Sequence, residues 1–188
     1  MKKKFHYLKK CRCCNTNKIK KIIDLGKHPL ANNLKKTKNQ KENLYPLELN
    51  YCEVCFNCQL SICVDSSELF ENYLYLSSVS NTLKFHFEAA TNKYIKLFNL
   101  KKESFIIDVG SNDGIGILPF QKKGYNNLLA IEPAKNLAKI TKSQGIETIN
   151  DYLNKKTLKK IKSKADLILA SNVFAHSNNL KEMAKNML

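Results

Sequence analysis

Two short cysteine motifs have the spacing of metal ligands. They are Cys11-x-x-Cys14 and Cys52-x-x-Cys55, with 37 residues between them. A two-residue gap lets two thiolates of one tight turn reach the same ion, and two such turns complete a closed tetrahedral zinc site. A site of this kind leaves no position for water, so we expect the zinc ion to stabilise the fold rather than to act in catalysis.

The remaining cysteines leave some of this assignment open. Seven cysteines are present, and an odd number without an export signal argues against a disulfide framework. Cys13 could compete with Cys14 for the metal because both lie on the same turn, whereas Cys58 and Cys63 are spare. His6 and His28 are further candidate ligands that we interpret as surface residues. The competing interpretation, reduced cysteines with chance spacing, is weakened by the two matched pairs.

A second constellation begins at the end of a buried strand, where the chain reads Asp108-x-Gly110-x-x-x-Gly114. Glycines at such a turn allow close approach of backbone to a ligand. A dinucleotide fingerprint would need a glycine where Asn112 stands, which disfavours an NAD-linked reductase.

Acidic residues at these strand ends point to a different cofactor. Glu132 ends the next strand and could accept hydrogen bonds from both hydroxyls of a ribose. An acidic loop suits a ligand with an amine and a sulfonium, so the pattern predicts a site for S-adenosylmethionine. The alternative is that these acids merely cap turns in a sheet that binds nothing. The candidate cofactor-binding residues are Asp108, Gly110, Asn112, Asp113, Gly114, Glu132, Pro133, Asp151 and Asn172.

Alternating strand and helix patterns must position those residues. Strands are predicted at 105–109, 128–131, 146–149 and 165–170, and helices at 115–123, 136–144, 153–163 and 179–187. This alternation predicts an α/β fold with a parallel, doubly wound sheet, in which ligands bind beyond the carboxyl ends of the strands.

The rest of the chain divides into two predicted regions. Residues 1–65 are expected to form a small zinc-binding domain with a strand at 22–26 and an exposed polar loop at 35–43. Residues 66–100 are expected to connect it to the sheet region, 101–188. Within the connection, the hydroxyl-rich stretch 66–84 either lines the site or only links the domains, with Ser80 or Asn81 capping a helix from Phe85 to about Leu100.

Charge and hydropathy limit the possible partners. The net charge of the 188 residues is +16, of which +13 lies in residues 1–41, and Arg12 is the only arginine. Because nucleic-acid readers rely on the arginine fork, we attribute the charge to a general lysine bias and expect no nucleic-acid partner. The alternative is a non-catalytic zinc module that binds nucleic acid. With neither a long apolar run nor a signal peptide, we expect a cytoplasmic protein without membrane contact.

Motifs along nearly the whole chain resemble the sugar C-methyltransferases. The matching stretches, in the family's order, are Cys11–Cys14, Asp24–Asn32, Tyr45–Leu49, Cys52–Cys55 with Gln59-Leu60, Tyr73–Ser78, Asp108–Gly114, Ile131–Pro133 and Asn172–His176. The resemblance implies a small zinc-binding domain followed by a class I methyltransferase domain.

The resemblance also implies a reaction. A keto group acidifies a neighbouring C–H of a nucleotide-linked deoxysugar, a base removes that proton, and the enolate attacks the sulfonium methyl. Tyr75 and His176 fall in the family's substrate-facing motifs and become candidate catalytic residues for enolate stabilisation or proton transfer. Sugar O-methylation is the nearest rival reaction.

The family also carries a C-terminal domain and more strands than the four counted here. The methyltransferase sheet is therefore expected to be incomplete, and the chain to be a truncated or split member. A second chain supplying the missing half is the corresponding predicted partner, beside the nucleotide-sugar substrate.

Overall fold

A computed structural model describes residues 4–31, 33–35, 37–71 and 73–188. Asn32, Lys36 and Asn72, which belong to predicted loop or motif stretches, lie outside the described residues. The chain divides into two compact units: the first runs to Leu74 and includes Asn178–Lys181, and the second comprises Tyr75–Ser177 and Glu182–Leu188. In the described ranges, every helix is too short or too polar to cross a membrane. The domain boundaries 1–65, 66–100 and 101–188 stay predictions.

The first unit consists mainly of antiparallel strands. In chain order they are β1 (Phe5–Tyr7), β2 (Ile19–His28), β3 (Tyr45–Cys52), β4 (Cys58–Leu60) and β5 (Ile62–Val64), followed by the short helix α1 (Ser66–Phe70). β2, β3 and β4 form one sheet in that order, and β1 pairs with β5. β2 extends well beyond the predicted strand 22–26. Register shifts interrupt its pairing with β3, so its residues do not follow the simple alternation that sequence patterns detect.

The first unit has a thin apolar core. Its buried hydrophobic residues are Cys11, Tyr45, Cys52, Ile62 and Cys63. Apolar side chains of β2, including Ile22 and Leu25, are instead exposed. A unit with so little buried apolar surface is of the kind that a structural metal stabilises.

The second unit contains the predicted parallel sheet. A 3₁₀ turn at Ser77–Val79 comes first. It is followed by α2 (Asn81–Leu97), β6 (Ile106–Val109), α3 (Leu118–Lys122), β7 (Leu128–Ile131), α4 (Lys135–Ser143), β8 (Glu147–Ile149), α5 (Lys155–Leu158), β9 (Leu167–Leu169), a second 3₁₀ turn at Phe174–His176, and α6 (Leu180–Met187). The first two residues of α6 are grouped with the first unit. The strand order is β8-β7-β6-β9, and all pairs are parallel. This order, with the first strand in the middle, confirms an α/β doubly wound, Rossmann-like arrangement of four strands.

Alternate residues of the central strands belong to two separate apolar clusters. Ile106 and Leu128 pack with Phe120 in one cluster, while Ile107 and Leu129 pack in the other. Because neighbouring residues of a strand point to opposite faces, the sheet is covered on both sides.

Three predicted helices differ from those observed by more than one residue at an end. The first, predicted at 115–123, starts only at Leu118 because a run of turns occupies the preceding loop. The lysine-rich helix predicted at 153–163 shortens to α5, Lys155–Leu158. A longer helix here would place like charges four residues apart, such as Lys155 and Lys159. Their repulsion disfavours the longer helix.

The helix predicted from Phe85 to about Leu100 is α2, and it begins earlier than predicted. The Ser80 hydroxyl accepts a hydrogen bond from the Leu83 N–H at 3.3 Å, so Ser80 is the cap. Two of its apolar side chains, Phe85 and Leu97, are 71% and 64% exposed. Tyr94 and Ile95 pack against the core instead.

Candidate functional site

The four predicted zinc ligands converge in the first unit. The sulfur atoms of Cys11, Cys14, Cys52 and Cys55 all lie within 4.8 Å of one another. The Cys11–Cys55 and Cys14–Cys52 sulfur pairs are separated by 3.5 and 3.6 Å. A tetrahedral zinc site with Zn–S bonds of about 2.3 Å places its sulfurs about 3.8 Å apart, so the cluster fits the ion.

Both cysteine turns have the same local geometry. The Cys11 sulfur accepts N–H groups of Cys13 and Cys14, and the Cys52 sulfur accepts those of Val54 and Cys55. The residue after each second ligand, Asn15 or Phe56, has a positive φ of 64° or 61°. For Phe56 this conformation is strained, which indicates that the turn is held by its other contacts.

The electrostatics of the cluster call for a cation. Burial opposes ionisation of Cys11, but the backbone N–H groups of Cys14 and Cys13 and the neighbouring thiols lower its pKa to about 6. The N–H of Asn57 favours the Cys55 thiolate, yet burial and the other three sulfurs raise the Cys55 pKa to about 12. Four adjacent thiolates repel one another, and a divalent cation removes that repulsion.

The spare cysteines lie outside the sulfur cluster. Cys13 and Cys58 are exposed. Cys63 is buried, burial raises the pKa of its thiol, and its sulfur donates a hydrogen bond to Asn178 Oδ1 at 2.8 Å. The sulfur cluster contains Cys14 and not Cys13, so Cys14 stays the predicted ligand.

Asn112 organises the glycine loop of the second unit. It has a φ of 52°, a conformation that asparagine tolerates better than most residues. Its side chain accepts the Ser77 N–H at 3.0 Å and donates to the Tyr75 carbonyl at 3.1 Å. Its carbonyl accepts the Thr141 hydroxyl at 3.0 Å. The residue that replaces a fingerprint glycine thus joins the loop to the stretch 75–78.

Asp113 supports the same junction. One carboxylate oxygen accepts the Ser78 N–H at 2.9 Å. Its other oxygen, Oδ1, and the Ser111 hydroxyl are buried without a hydrogen-bond partner among the described residues. Buried polar atoms of this kind need a partner, so the loop has hydrogen-bonding capacity for a ligand.

The Glu132 carboxylate is held in place at the end of β7. Its two oxygens accept the N–H groups of Asn112 and Ala134, each at 2.8 Å. Asn150, which the sequence analysis missed, donates to the carbonyls of Glu132 and Pro133 at 2.8 and 2.9 Å. Because a carboxylate has about four acceptor positions, the anchored Glu132 still has capacity for two hydroxyl donors.

Asp108 lies near the end of β6, just before the glycine loop. It is 4% exposed, and burial together with the negative charge of Glu132 raises its pKa to about 8. A Cβ on Gly116 would lie 2.7 Å from Asp108 Oδ2, so glycine is required there, although no sequence motif had indicated Gly116.

The two predicted loop glycines are also accounted for. Gly110 has a φ of +65°, and a Cβ there would lie 2.5 Å from Val173 Cγ2. Gly114 has a φ of +90°. Both positions therefore need the conformational freedom and small size of glycine.

The remaining cofactor candidates lie farther along the strand ends. Asp151 Oδ1 accepts the Tyr152 N–H and the Asn154 side chain, at 2.7 and 3.1 Å, and thus stabilises a turn. Asn172 is exposed with a φ of 56°. Their roles in binding stay predictions.

The candidate catalytic residues are accessible. Tyr75 is 41% exposed, and its backbone is fixed by Asn112. His176 is exposed and ends a 3₁₀ turn in which its N–H donates to the Val173 carbonyl. Both belong to the second unit.

Comparisons with known proteins match both regions. Residues 11–70 match a family model described as "Putative zinc binding domain". The chain is 25% identical over 178 residues to the C-methyltransferase NovU of Streptomyces niveus, covering 92% of this chain and 42% of that protein. The chain therefore spans about two fifths of the length of the relative it matches.

Solved methyltransferase structures show a weaker likeness. The plantazolicin methyltransferase BpumL in complex with SAH is 20% identical, with a TM-score of 0.47, over 57% of this chain and 42% of that one. The magnesium protoporphyrin IX methyltransferase ChlM from Synechocystis PCC 6803 with bound SAM is 13% identical, with a TM-score of 0.42, over 55% and 50%.

The family resemblance drawn from the motifs is thus confirmed by the zinc-domain match and the sequence relative. Residues 11–70 match the zinc-binding domain model, and most of the chain is similar in sequence to part of a C-methyltransferase.

Proposed function

We propose that this chain carries the zinc-binding and cofactor-binding regions of an S-adenosylmethionine-dependent C-methyltransferase that acts on a nucleotide-linked keto-deoxysugar. The observation that carries the proposal is the anchored Glu132 carboxylate beside the glycine loop, at the carboxyl ends of β6 and β7. That position is where open α/β sheets bind their ligands. The relationship to a C-methyltransferase supports carbon as the acceptor.

The residues present fit S-adenosylmethionine. Glu132 would accept hydrogen bonds from the ribose hydroxyls, and the buried, unpartnered Asp113 Oδ1 and Ser111 hydroxyl offer polar contacts for the rest of the molecule. Gly110 and Gly114 keep the loop free of side chains. When bound, the cofactor supplies an electrophilic methyl group on a sulfonium.

The chain's own residues would prepare the sugar for attack. A hydrogen bond from the Tyr75 hydroxyl or the His176 ring to the sugar's keto oxygen would stabilise the enolate formed when the neighbouring C–H loses its proton. The other of the two residues would move a proton at the same carbon. The Asn112 contacts to 75–77 would keep Tyr75 next to the cofactor loop.

Cofactor binding by the 188-residue chain is the direct test. Calorimetric titration of the zinc-loaded chain with S-adenosylmethionine should show one site, and Glu132→Gln should weaken binding by about tenfold or more because a charge-assisted acceptor is lost. Glu147→Gln, on the neighbouring strand β8 and exposed, is the matched control and should bind like the parent. Equal affinity of both variants, or no binding by the parent, would sink the proposed site.

The substrate can be tested separately from the cofactor. In D₂O without S-adenosylmethionine, an enolate mechanism exchanges the proton next to the keto group for deuterium, which mass spectrometry detects. We expect exchange when the chain is mixed with a chain supplying the C-terminal half of the relative, and its loss in Tyr75→Phe or His176→Asn. Methylation at a sugar oxygen without any exchange would instead identify an O-methyltransferase.

A further inference from the structure

A basic groove occupies one side of the first unit. It has a volume of about 560 Å³, and its lining includes His6, Lys9, Lys10, Arg12 and Lys181. All of its lining residues are grouped within the first unit, and none of those described is acidic. None of its lining residues belongs to the glycine loop, and the inference drawn from it goes beyond the function proposed above.

The charge of the groove favours an anion even beside the metal site. Four lining side chains are lysine or arginine, and the single arginine of the chain is among them. A zinc ion with four thiolates carries a formal charge of −2, and Cys11 contributes to the lining. The cationic side chains outnumber that charge, so the groove stays positive when zinc is bound.

One wall of the groove is fixed by a buried glutamine. Gln59 is 5% exposed, and its Oε1 accepts the Arg12 N–H at 2.8 Å. Its Nε2 donates to the Lys10 carbonyl at 3.0 Å. Because one buried side chain holds the backbone on both sides of Cys11, Lys10 and Arg12 project from a rigid segment rather than from a mobile loop.

Another lining residue, Asn178, is held by the buried Cys63. Cys63 donates to Asn178 Oδ1, and Asn178 Nδ2 donates to the Ser66 hydroxyl at 3.3 Å. These contacts join residues more than 100 positions apart and place Lys181, three residues on, in the lining. The groove is therefore preorganised, which lowers the entropic cost of binding.

We infer that this groove binds the diphosphate group of a phosphorylated small molecule. Its volume is in the range of pockets for single small ligands, and lysine ammonium groups are suited to phosphate oxygens as point charges. A nucleic-acid backbone would instead call for a basic surface extended along a strand, with several arginines. The groove offers one arginine among its described lining residues.

Titration of the zinc-loaded 188-residue chain tests the inference. Inorganic diphosphate and uridine diphosphate are the probes, at constant ionic strength, with a single-stranded oligonucleotide in a parallel titration. Both diphosphates should bind with one-to-one stoichiometry, and Lys181→Glu should weaken each by about five- to tenfold because one attractive charge becomes repulsive. Lys38→Glu, an equal charge change on an exposed loop residue outside the lining, should leave the affinity unchanged.

A second variant tests the hydrogen bond from Cys63 that holds Asn178 in the lining. Cys63→Ala removes the hydrogen bond to Asn178 without changing any charge, and it should weaken diphosphate binding while zinc content stays at one ion per chain. Equal losses in Lys181→Glu and Lys38→Glu would overturn the inference, since binding would then reflect only net charge. Tighter binding of the oligonucleotide than of uridine diphosphate would overturn it as well, in favour of a nucleic-acid surface.

Discussion

At the scale of single residues, two buried carboxyl groups determine the charge beside the glycine loop. Asp108 and Glu132 are both buried, at 4% and 5% exposure, and burial raises the pKa of each. Glu132 receives two backbone N–H groups that favour its charged form, whereas Asp108 lies next to the negative charge of Glu132. Two buried acids at adjacent strand ends thus differ in their partners, since Glu132 is anchored by two N–H donors and Asp108 has a negative charge beside it.

Asp108 should make stability depend on pH. With a folded-state pKa near 8 against 3.8 as its ordinary value, the folded chain holds a proton that the unfolded chain releases above about pH 4. This contribution is therefore present at low pH and is lost as pH rises from about 4 to 8, by at most about 1.4 kcal/mol per pH unit. Asp108→Asn should be less sensitive to pH in this window.

Denaturant unfolding between pH 5.5 and 8.0 measures the effect. The free energy of unfolding of the parent minus that of Asp108→Asn should decline as pH rises. Glu103→Gln, an exposed acid, serves as the control, and its difference from the parent should stay flat. A constant difference for Asp108→Asn would contradict the buried, protonated carboxyl.

At the scale of elements, local patterns predicted the parts that depend on local forces. Leu128–Ile131 coincides with β7, and the helix predicted at 136–144 differs from α4 by one residue at each end, because apolar runs and helical spacing are properties of neighbouring residues. The four zinc ligands predicted from spacing also come together in one sulfur cluster. The contacts that shape the site could not be predicted this way. Asn150 donates to the carbonyl of Glu132, which lies 18 positions earlier in the chain. Gly116 leaves room for the side chain of Asp108, 8 positions earlier.

The contacts of the hydroxyl-rich stretch 66–84 bear on its two interpretations, a lining of the site or a linker between the domains. Its hydroxyl-rich composition fitted either a linker or a lining. Backbone N–H groups of Ser77 and Ser78 bond to the side chains of Asn112 and Asp113, so the stretch is attached to the glycine loop. Ser80 also caps α2. The same segment therefore contacts the glycine loop and caps α2, which composition alone does not reveal.

Asn112→Gly should detach this stretch while preserving the backbone conformation of the loop. Glycine accepts the positive φ of Asn112 but has no side chain to hold Tyr75 and Ser77. We expect faster hydrogen exchange of the Ser77 amide, by about five- to tenfold for one lost hydrogen bond of typical strength. Asn126→Gly, at an exposed position, should leave this exchange unchanged. Unchanged exchange in Asn112→Gly would show that other contacts hold the stretch.

At the scale of the whole molecule, the two units are stabilised by different means. The second unit has two apolar clusters around its sheet. The first has a thin core and a cluster of four sulfurs, two of which belong to its most buried side chains, Cys11 and Cys52. Metal binding is therefore expected to supply folding free energy to the first unit and little to the second.

Cys14→Ser should separate these two contributions. Loss of one of four thiolates should reduce bound zinc from about one ion per chain to well below half, and amides of β3 should lose protection from hydrogen exchange. Amides of β6 and β7 should keep theirs, because their clusters contain no residue of the metal site. Cys13→Ser removes an exposed neighbouring thiol and should retain both the zinc and the protection. If β6 and β7 lose protection together with β3, the sheet depends on the zinc unit for its stability, and the two units fold as one.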